Sequence, residues 1–460
     1  MRQFRSTYTV IFLTLSSLFI GFAQSSSPFF KNGDVICFLG DSITYGGQYH
    51  EFLQLFYATR YPELTLSFHN CGISGDNAAG MIDRFDDDVM KHNPTHVFLM
   101  TGMNDVNRTL YFEGTASDKI LKQRANALAA YKQNTTLLAE KIVENNVTPI
   151  FLTPSIYDQY SKIERENNVG CNDALIECSD HIKAIANRDD ATVVDLNASM
   201  KNIMEQELQK DSLFTIVGKD RVHPEATGHF IMFQEIIAVL EQSSVVSKIE
   251  IDFNSQHPIV TAKNCQVSEV QISNNDISFQ WLENSLPFPV EKHNQALALV
   301  PFEQNFNQQT LQTHGIGQGA YDLFIEDQFI ETFSSEALAK GINLASNTKT
   351  PQYKQAQEIM RLCAEYRKTG YQLRAVPFIK FKYLHDYNGP NNVLQKKLHL
   401  DKKLDEIKGK SYYNYIKKSM DAYFETLPKV DSLQNRLNQI QAEIFLNNKP
   451  KQLSIQLVKK

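Results

Sequence analysis

The chain has 460 residues, 42% of them hydrophobic and 21% charged, with a formal net charge of −6. That length exceeds what one compact core holds and implies two or more units. The mild negative charge gives no overall basic excess toward nucleic acid, and the six cysteines include no C-x-x-C spacing of the zinc-binding kind.

The first residues, Met1-Arg2-Gln3-Phe4-Arg5, are followed by an apolar run from Val10 that ends in Gly21-Phe22-Ala23. A basic start, a short apolar core and small residues at the exit predict a secretory signal peptide over residues 1–23, cleaved after Ala23. The run is too short for a comfortable spanning helix, and no other segment is a candidate, so stable membrane insertion is not expected. No cysteine stands at the exit to carry a lipid anchor. The mature chain is expected to be secreted or periplasmic.

Val35–Leu39 is a short apolar run that predicts a buried strand, stopped at Gly40. The sequence then reads Gly40-Asp41-Ser42-Ile43-Thr44, placing a serine on the turn after the strand, before a helix expected to open near Gln48. The carboxyl end of a strand is where an α/β sheet presents reactive groups. One serine there can supply a hydroxyl nucleophile and a backbone N–H for an oxyanion. By itself a Gly-Asp-Ser turn is only a turn; it gains weight from partner residues elsewhere in the chain.

A helical pattern over Tyr49–Tyr61 leads to a second strand, Leu64–His69, and then to Asn70-Cys71-Gly72-Ile73-Ser74-Gly75-Asp76-Asn77. A glycine in that turn can bring its N–H close to a substrate because no side chain stands in the way. Helical Ala78–Lys91 precedes a third strand, His96–Thr101, which exits into Gly102-Met103-Asn104-Asp105. The Asn104 amide at that exit can point its NH2 at a developing alkoxide. Helices at Ile120–Asn145 and Cys171–Arg188 alternate with strands at Pro149–Thr153 and Thr192–Leu196. Five near-continuous apolar strands alternating with helices predict an α/β fold: a flavodoxin-like, doubly wound, parallel five-stranded sheet covered on both faces.

Late in this half stands Asp220-Arg221-Val222-His223-Pro224, before an apolar helical stretch, Gly228–Leu240. Pro224 keeps His223 out of the helix. The three-residue offset lets Asp220 fold back onto one imidazole nitrogen while the other faces Ser42. A hydroxyl nucleophile needs such a base, held in one tautomer by a carboxylate.

The four segments GDSIT (Gly40–Thr44), ISGDN (Ile73–Asn77), GMND (Gly102–Asp105) and DRVHP (Asp220–Pro224) resemble the four blocks of the SGNH, or GDSL-type, hydrolase family. The resemblance covers about residues 30 to 245. It implies Ser42 as nucleophile, His223 as base and Asp220 as its orienting carboxylate. The Ser42 N–H, Gly75 and Asn104 would form the oxyanion hole, with Gly72 as the competing glycine in the second block. It also implies ester hydrolysis with no metal and no organic cofactor.

After Val245 the pattern changes. Short alternating runs at Ile249–Phe253, Val267–Ile272, Ile277–Trp281, Ala296–Val300 and Tyr321–Phe324 predict a β-rich accessory unit over residues 246–345. Turn signals separate them at Ser273-Asn274-Asn275-Asp276 and at Gly315, Gly317 and Gly319. Residues 346–460 read as a helical, basic region, with helices expected at Tyr353–Tyr366, Asn392–Lys408, Tyr412–Leu427 and Val430–Leu446. From Pro351 on there are 21 Lys/Arg against 10 Asp/Glu, or +11; the first 350 residues hold 25 against 42, or −17. Opposite signs suggest basic helices packed near or solvated beside an acidic domain, with contact to an acidic polymer as the other reading.

Among the cysteines, Cys37 and Cys71 read as packing residues. Cys171 and Cys178 are the best disulfide candidates, while Cys265 and Cys363 remain unpaired on sequence. An exported esterase with a β-type module resembles those family members that remove acetyl groups from polysaccharide, so the expected partner is an acetylated poly- or oligosaccharide. A lipid-directed esterase and a catalytically silent carbohydrate-binding protein are the alternatives. The sequence leaves the oligomeric state open.

Overall fold

The computed structural model describes residues 27–241, 245–273, 276–290 and 295–460. The expected signal peptide, and Asn274-Asn275 of the expected turn, lie outside the described residues. The first half runs β1 (Val35–Gly40), α1 (Ser42–Gly46), α2 (Tyr49–Arg60), β2 (Ser67–Gly72), α3 (Ala78–Arg84), β3 (His96–Met100), α4 (Asp118–Glu144), β4 (Thr148–Leu152), α5 (Cys171–Asp189), β5 (Thr192–Val194), α6 (Leu196–Leu208) and α7 (Ala226–Leu240). The strands pair in the order β2-β1-β3-β4-β5, all parallel. This is the expected doubly wound α/β sheet. Helices α2, α6 and α7 pack together, as do α3, α4 and α5. Two such layers explain why β1, β3 and β4 are apolar without alternation: Phe38, Phe98 and Ile150 are buried, and the Phe38 and Phe98 rings stack at 4.8 Å.

Three local departures trace to side chains. A short helix, α1, precedes the expected one, because Asp41 caps it by accepting from the Ile43 N–H at 2.9 Å. Gly47 and Gln48, both at positive φ, then break the chain before α2. The expected helix over Ala78–Lys91 stays α-helical only to Arg84 and continues as a π turn, Phe85–Val89, and a 3₁₀ turn, Met90–His92. Arg84 clamps Asp88 at 2.6 Å across that π turn. Helix α6 was not expected. It starts at Leu196, where the Asp195 side chain accepts from the Ala198 N–H and ends β5 early.

The second half continues with β6 (Val245–Asp252), β7 (Ile259–Lys263), β8 (Cys265–Ser273), β9 (Asp276–Glu283), α8 (Phe302–Phe306), β10 (Gln308–His314), β11 (Ala320–Ile325), β12 (Gln328–Ser334), α9 (Ser335–Lys340) and β13 (Ile342–Asn343). It ends with α10 (Pro351–Tyr383), α11 (Val393–Glu406), α12 (Tyr413–Thr426), α13 (Val430–Asn447) and β14 (Gln452–Lys459). Two sheets, β13-β10-β6-β7 and β12-β11-β14-β9-β8, share a core that includes Ile249, Leu311, Trp281, Leu323 and Ile455. Strand β14 therefore sits in the middle of the β unit although it lies in the segment expected to be helical.

The run Ala296–Val300 is not a strand. Gln295–Ala298 forms a 3₁₀ turn instead, because Ala296 and Val300 bury themselves in the core of the first half. Beside them Phe288 and Phe302 pack on Phe230 and Phe233 of α7, at centroid separations of 5.1–6.2 Å. Helices α10 and α13 cover the edge strand β2. The Tyr366 hydroxyl donates to the Phe68 carbonyl at 3.1 Å, and the Gln441 amide donates to the Leu66 carbonyl at 3.0 Å. That blunts an otherwise unpaired sheet edge.

All six cysteines are free thiols. Cys171 and Cys178, the best disulfide candidates on sequence, both lie on α5. Seven residues of helix separate their Cα atoms by about 10 Å, beyond the roughly 7 Å limit for a disulfide.

Candidate active site

Ser42 is the first residue of α1, at the carboxyl end of β1. The first N–H groups of a helix have no partner within it, so the Ser42 N–H is presented beside its own hydroxyl. Gly40 is required there: a Cβ would stand 2.2 Å from the Thr44 hydroxyl oxygen.

The loop ahead of α7 brings the base to it. His223 Nε2 lies 2.7 Å from Ser42 Oγ, and His223 Nδ1 lies 2.5 Å from Asp220 Oδ2. The other Asp220 oxygen accepts from the Val222 and His223 N–H groups, each at 3.0 Å. Burial alone would raise the Asp220 carboxyl; bonds from the His223 ring and those two N–H groups hold it well below the usual carboxylate range. An ionised Asp220 fixes the proton on Nδ1 and leaves Nε2 to accept from the serine. Both side chains are about half exposed, at 47% for His223 and 46% for Asp220.

Arg221, in the middle of this loop, had no role on sequence. It is buried at φ 66°, and its guanidinium donates to the carbonyls of Asp158, Ser161, Ile163 and Arg165 at 2.9–3.2 Å. The Arg221 carbonyl accepts in return from the Asp158 N–H. A left-handed, side-chain-anchored arginine thus locks the turn that aims Asp220 and His223. An arginine between Asp and Val in a loop is not a signal that sequence alone distinguishes.

The second block has two glycines with different reasons. A Cβ on Gly72 would lie 2.2 Å from the Tyr45 nitrogen, so Gly72 allows β2 to pass under α1. Gly75 has φ 72°, a left-handed conformation that favours glycine, and open space where its Cβ would be. Asn104 donates its amide to the Asp76 carbonyl at 2.8 Å and to Asp41 Oδ2 at 3.3 Å. The longer of these is the one an oxyanion can replace.

Asp41 is fully buried here, and burial pushes its carboxyl up from 3.8 to about 6, against the Ile43 N–H and the His223 charge, which lower it. A carboxylate whose folded value is raised contributes stability below its unfolded value that is lost as pH climbs through the folded one. Between pH 4 and 8 Asp41 should therefore take away about 2 kcal/mol. Asp41→Asn keeps the cap without the charge. Its stability relative to wild type, from denaturant unfolding, should rise by about that amount from pH 4 to pH 8. A difference that does not change with pH would count against the buried charge.

Residues 36–236 match the family model of the GDSL-like lipases and acylhydrolases. This part of the chain is a GDSL-type hydrolase domain. The chain is 24% identical over 224 aligned residues to an acetylxylan esterase of Geobacillus stearothermophilus, covering 44% of this chain and 91% of the relative. A solved structure of a gut microbial diltiazem-metabolizing enzyme, BT4096, matches with a TM-score of 0.83 and 29% identity, covering 94% of this chain and 98% of that one. The likeness to the second extends through the units beyond the GDSL-type domain.

Proposed function

We propose that the chain is an exported serine esterase that removes short acyl groups, acetyl above all, from carbohydrate through an acyl-serine intermediate. The observation that carries the mechanism is the continuous relay from Asp220 through His223 to Ser42, 2.5 Å and 2.7 Å at its two links. His223 takes the Ser42 proton as Oγ attacks the ester carbonyl. The Ser42 and Gly75 N–H groups and the Asn104 amide hold the tetrahedral oxyanion. His223 then protonates the leaving alcohol and activates the water that frees the enzyme. Asn104→Ala should lower kcat about 10²- to 10³-fold with KM little changed, as measured on p-nitrophenyl acetate. A loss confined to KM would remove Asn104 from the oxyanion hole.

A half-exposed His223–Asp220 pair beside a partly buried Ser42 suits a small acyl group on a large alcohol, and the acetylxylan esterase relative supports acetylated xylan as the first polymer to try. The second relative favours a parallel reading in which isolated small esters are the substrates. Initial rates on p-nitrophenyl acetate, p-nitrophenyl palmitate, acetylated xylo-oligosaccharides and diltiazem separate these. A preference for palmitate would overturn the short-acyl reading in favour of a lipid-directed esterase. Export is tested by sequencing the N-terminus of the mature protein, expected at Gln24; retention in the membrane fraction with Met1 intact would contradict it.

A further inference from the structure

The loop that carries Gly75 and Asn104 has a charge problem. Asp41 accepts from the Asn104 amide, Asp76 lends its carbonyl to the same amide, and Asp105 accepts from the Ala78 and Gly102 N–H groups at 2.9 and 3.0 Å. Three carboxylates back a site where a negative charge must develop, and like charges at this range oppose it. The GDSL-type domain supplies one buried cation in answer. Arg84 binds Asp76 at 2.7 Å, Asp88 at 2.6 Å and the Gly40 carbonyl at 3.2 Å.

The other two come from α10, some three hundred residues away in sequence. Arg374 is buried, donates to the Gly72 carbonyl at 2.9 and 3.1 Å and forks onto both oxygens of Asp88 at 2.7 Å. About two helical turns beyond it, Lys382 donates to the Gly75 carbonyl at 3.1 Å and to Asp76 Oδ1 at 2.9 Å. The segment Gly72–Asp76 is thus gripped at its start by Arg374 and at its end by Lys382. Tyr371 and Phe378 of the same helix pack on Tyr45 of α1, with ring centroids at 4.8 and 5.9 Å.

Resting on the esterase reading above, we propose that Lys382 is a positioning residue of the oxyanion hole. By holding the Gly75 carbonyl it fixes the backbone torsions of Gly75, and through them the direction of the N–H of the preceding Ser74–Gly75 peptide, and its ammonium offsets the carboxylates behind it. The C-terminal region is on this view part of the reaction centre's support as well as a neighbour of it. Lys382 is only partly buried and its ion pair joins a carboxylate already held by Arg84, so its loss should leave the fold intact.

The test uses the full chain, with two readouts that do not require the natural substrate: turnover of p-nitrophenyl acetate and the rate at which a fluorophosphonate labels Ser42. Lys382→Met should lower kcat and the labelling rate about tenfold each, with KM within about twofold and the melting temperature unchanged. Lys382→Arg should restore most of both rates, since it keeps the charge. Wild-type rates in Lys382→Met would overturn the proposal. So would an equal loss in the Met and Arg variants accompanied by a lowered melting temperature, which would make Lys382 a structural residue only. Failure of the wild-type protein to take up the label at Ser42 would instead overturn the esterase reading, and this proposal with it.

Discussion

Ser42→Ala is expected to lower kcat on a short acetyl ester by on the order of 10⁶-fold while leaving the melting temperature within a few degrees of wild type. The change removes one oxygen at the start of α1 and none of the contacts that hold that helix: the cap belongs to Asp41, and the packing to Ile43 and Tyr45. His223→Ala should be nearly as damaging, because without Nε2 the hydroxyl keeps its proton. Asp220→Ala should be milder. Its carboxyl is half exposed and water can take over part of its bond to Nδ1, while the Val222 and His223 N–H groups lose an acceptor that solvent can also supply. His229, His181 and His92 offer no substitute base. His229 is buried in α7 and burial lowers it to about 3, His181 bonds the Lys132 carbonyl on the far helices, and His92 stacks on His69 at 4.0 Å. A Ser42→Ala protein with a substantial share of wild-type activity, or an essential His229 beside a dispensable His223, would break the assignment.

A physical line divides the features legible in the chain from those that were not. Strands β1, β3 and β4 are legible because burial on both faces forces uninterrupted apolar runs, as in Val35-Ile36-Cys37-Phe38-Leu39; the edge strand β2, Ser67–Gly72, carries Ser67, His69 and Asn70 and starts three residues later than the expected Leu64–His69. Ser42, Gly75, Asn104, Asp220 and His223 are legible only together: each stands in a segment that by itself reads as an ordinary turn, and the four segments in this order carry the signal. The strands of the second half were harder. Val267–Ile272 was legible inside the strand Cys265–Ser273 although that strand is mostly exposed, but Gln308–His314, rich in Gln and Thr, carries little apolar signal. Strand β14 was legible in principle: Leu453, Ile455 and Leu457 alternate with polar residues and all three are buried. Its neighbourhood of helices hid a period-two pattern. The contacts of Lys382 and Arg374 leave no trace at all, since a basic residue on a helix reads as solvated until the helix is docked. The charge asymmetry between the halves was the one available hint, and Arg367–Glu51, Arg374–Asp88, Lys380–Asp87 and Lys382–Asp76 account for part of it.

Truncation at Val245 is expected to give an insoluble chain. The hydrophobic cluster around the parallel sheet includes Phe288, Phe302, Phe306, Ile359, Leu362, Tyr366, Leu437, Ile440 and Ile444, all from the second half. Deleting these partners bares the apolar surface they cover on the first half, a patch that drives association between chains. The edge of β2 would also lose the Tyr366 and Gln441 bonds and offer free backbone groups to another chain. A much smaller deletion makes the same point. Removing residues 452–460 takes out β14, which pairs with β9 on one side and β11 on the other, and should split the five-stranded sheet into two hairpins. Soluble yield, melting temperature and p-nitrophenyl acetate turnover of the two truncated proteins give the answer. A monodisperse 24–245 fragment with wild-type kcat would mean that the later units merely rest against the hydrolase, and the support argued for the oxyanion loop through Lys382 would fail along with it.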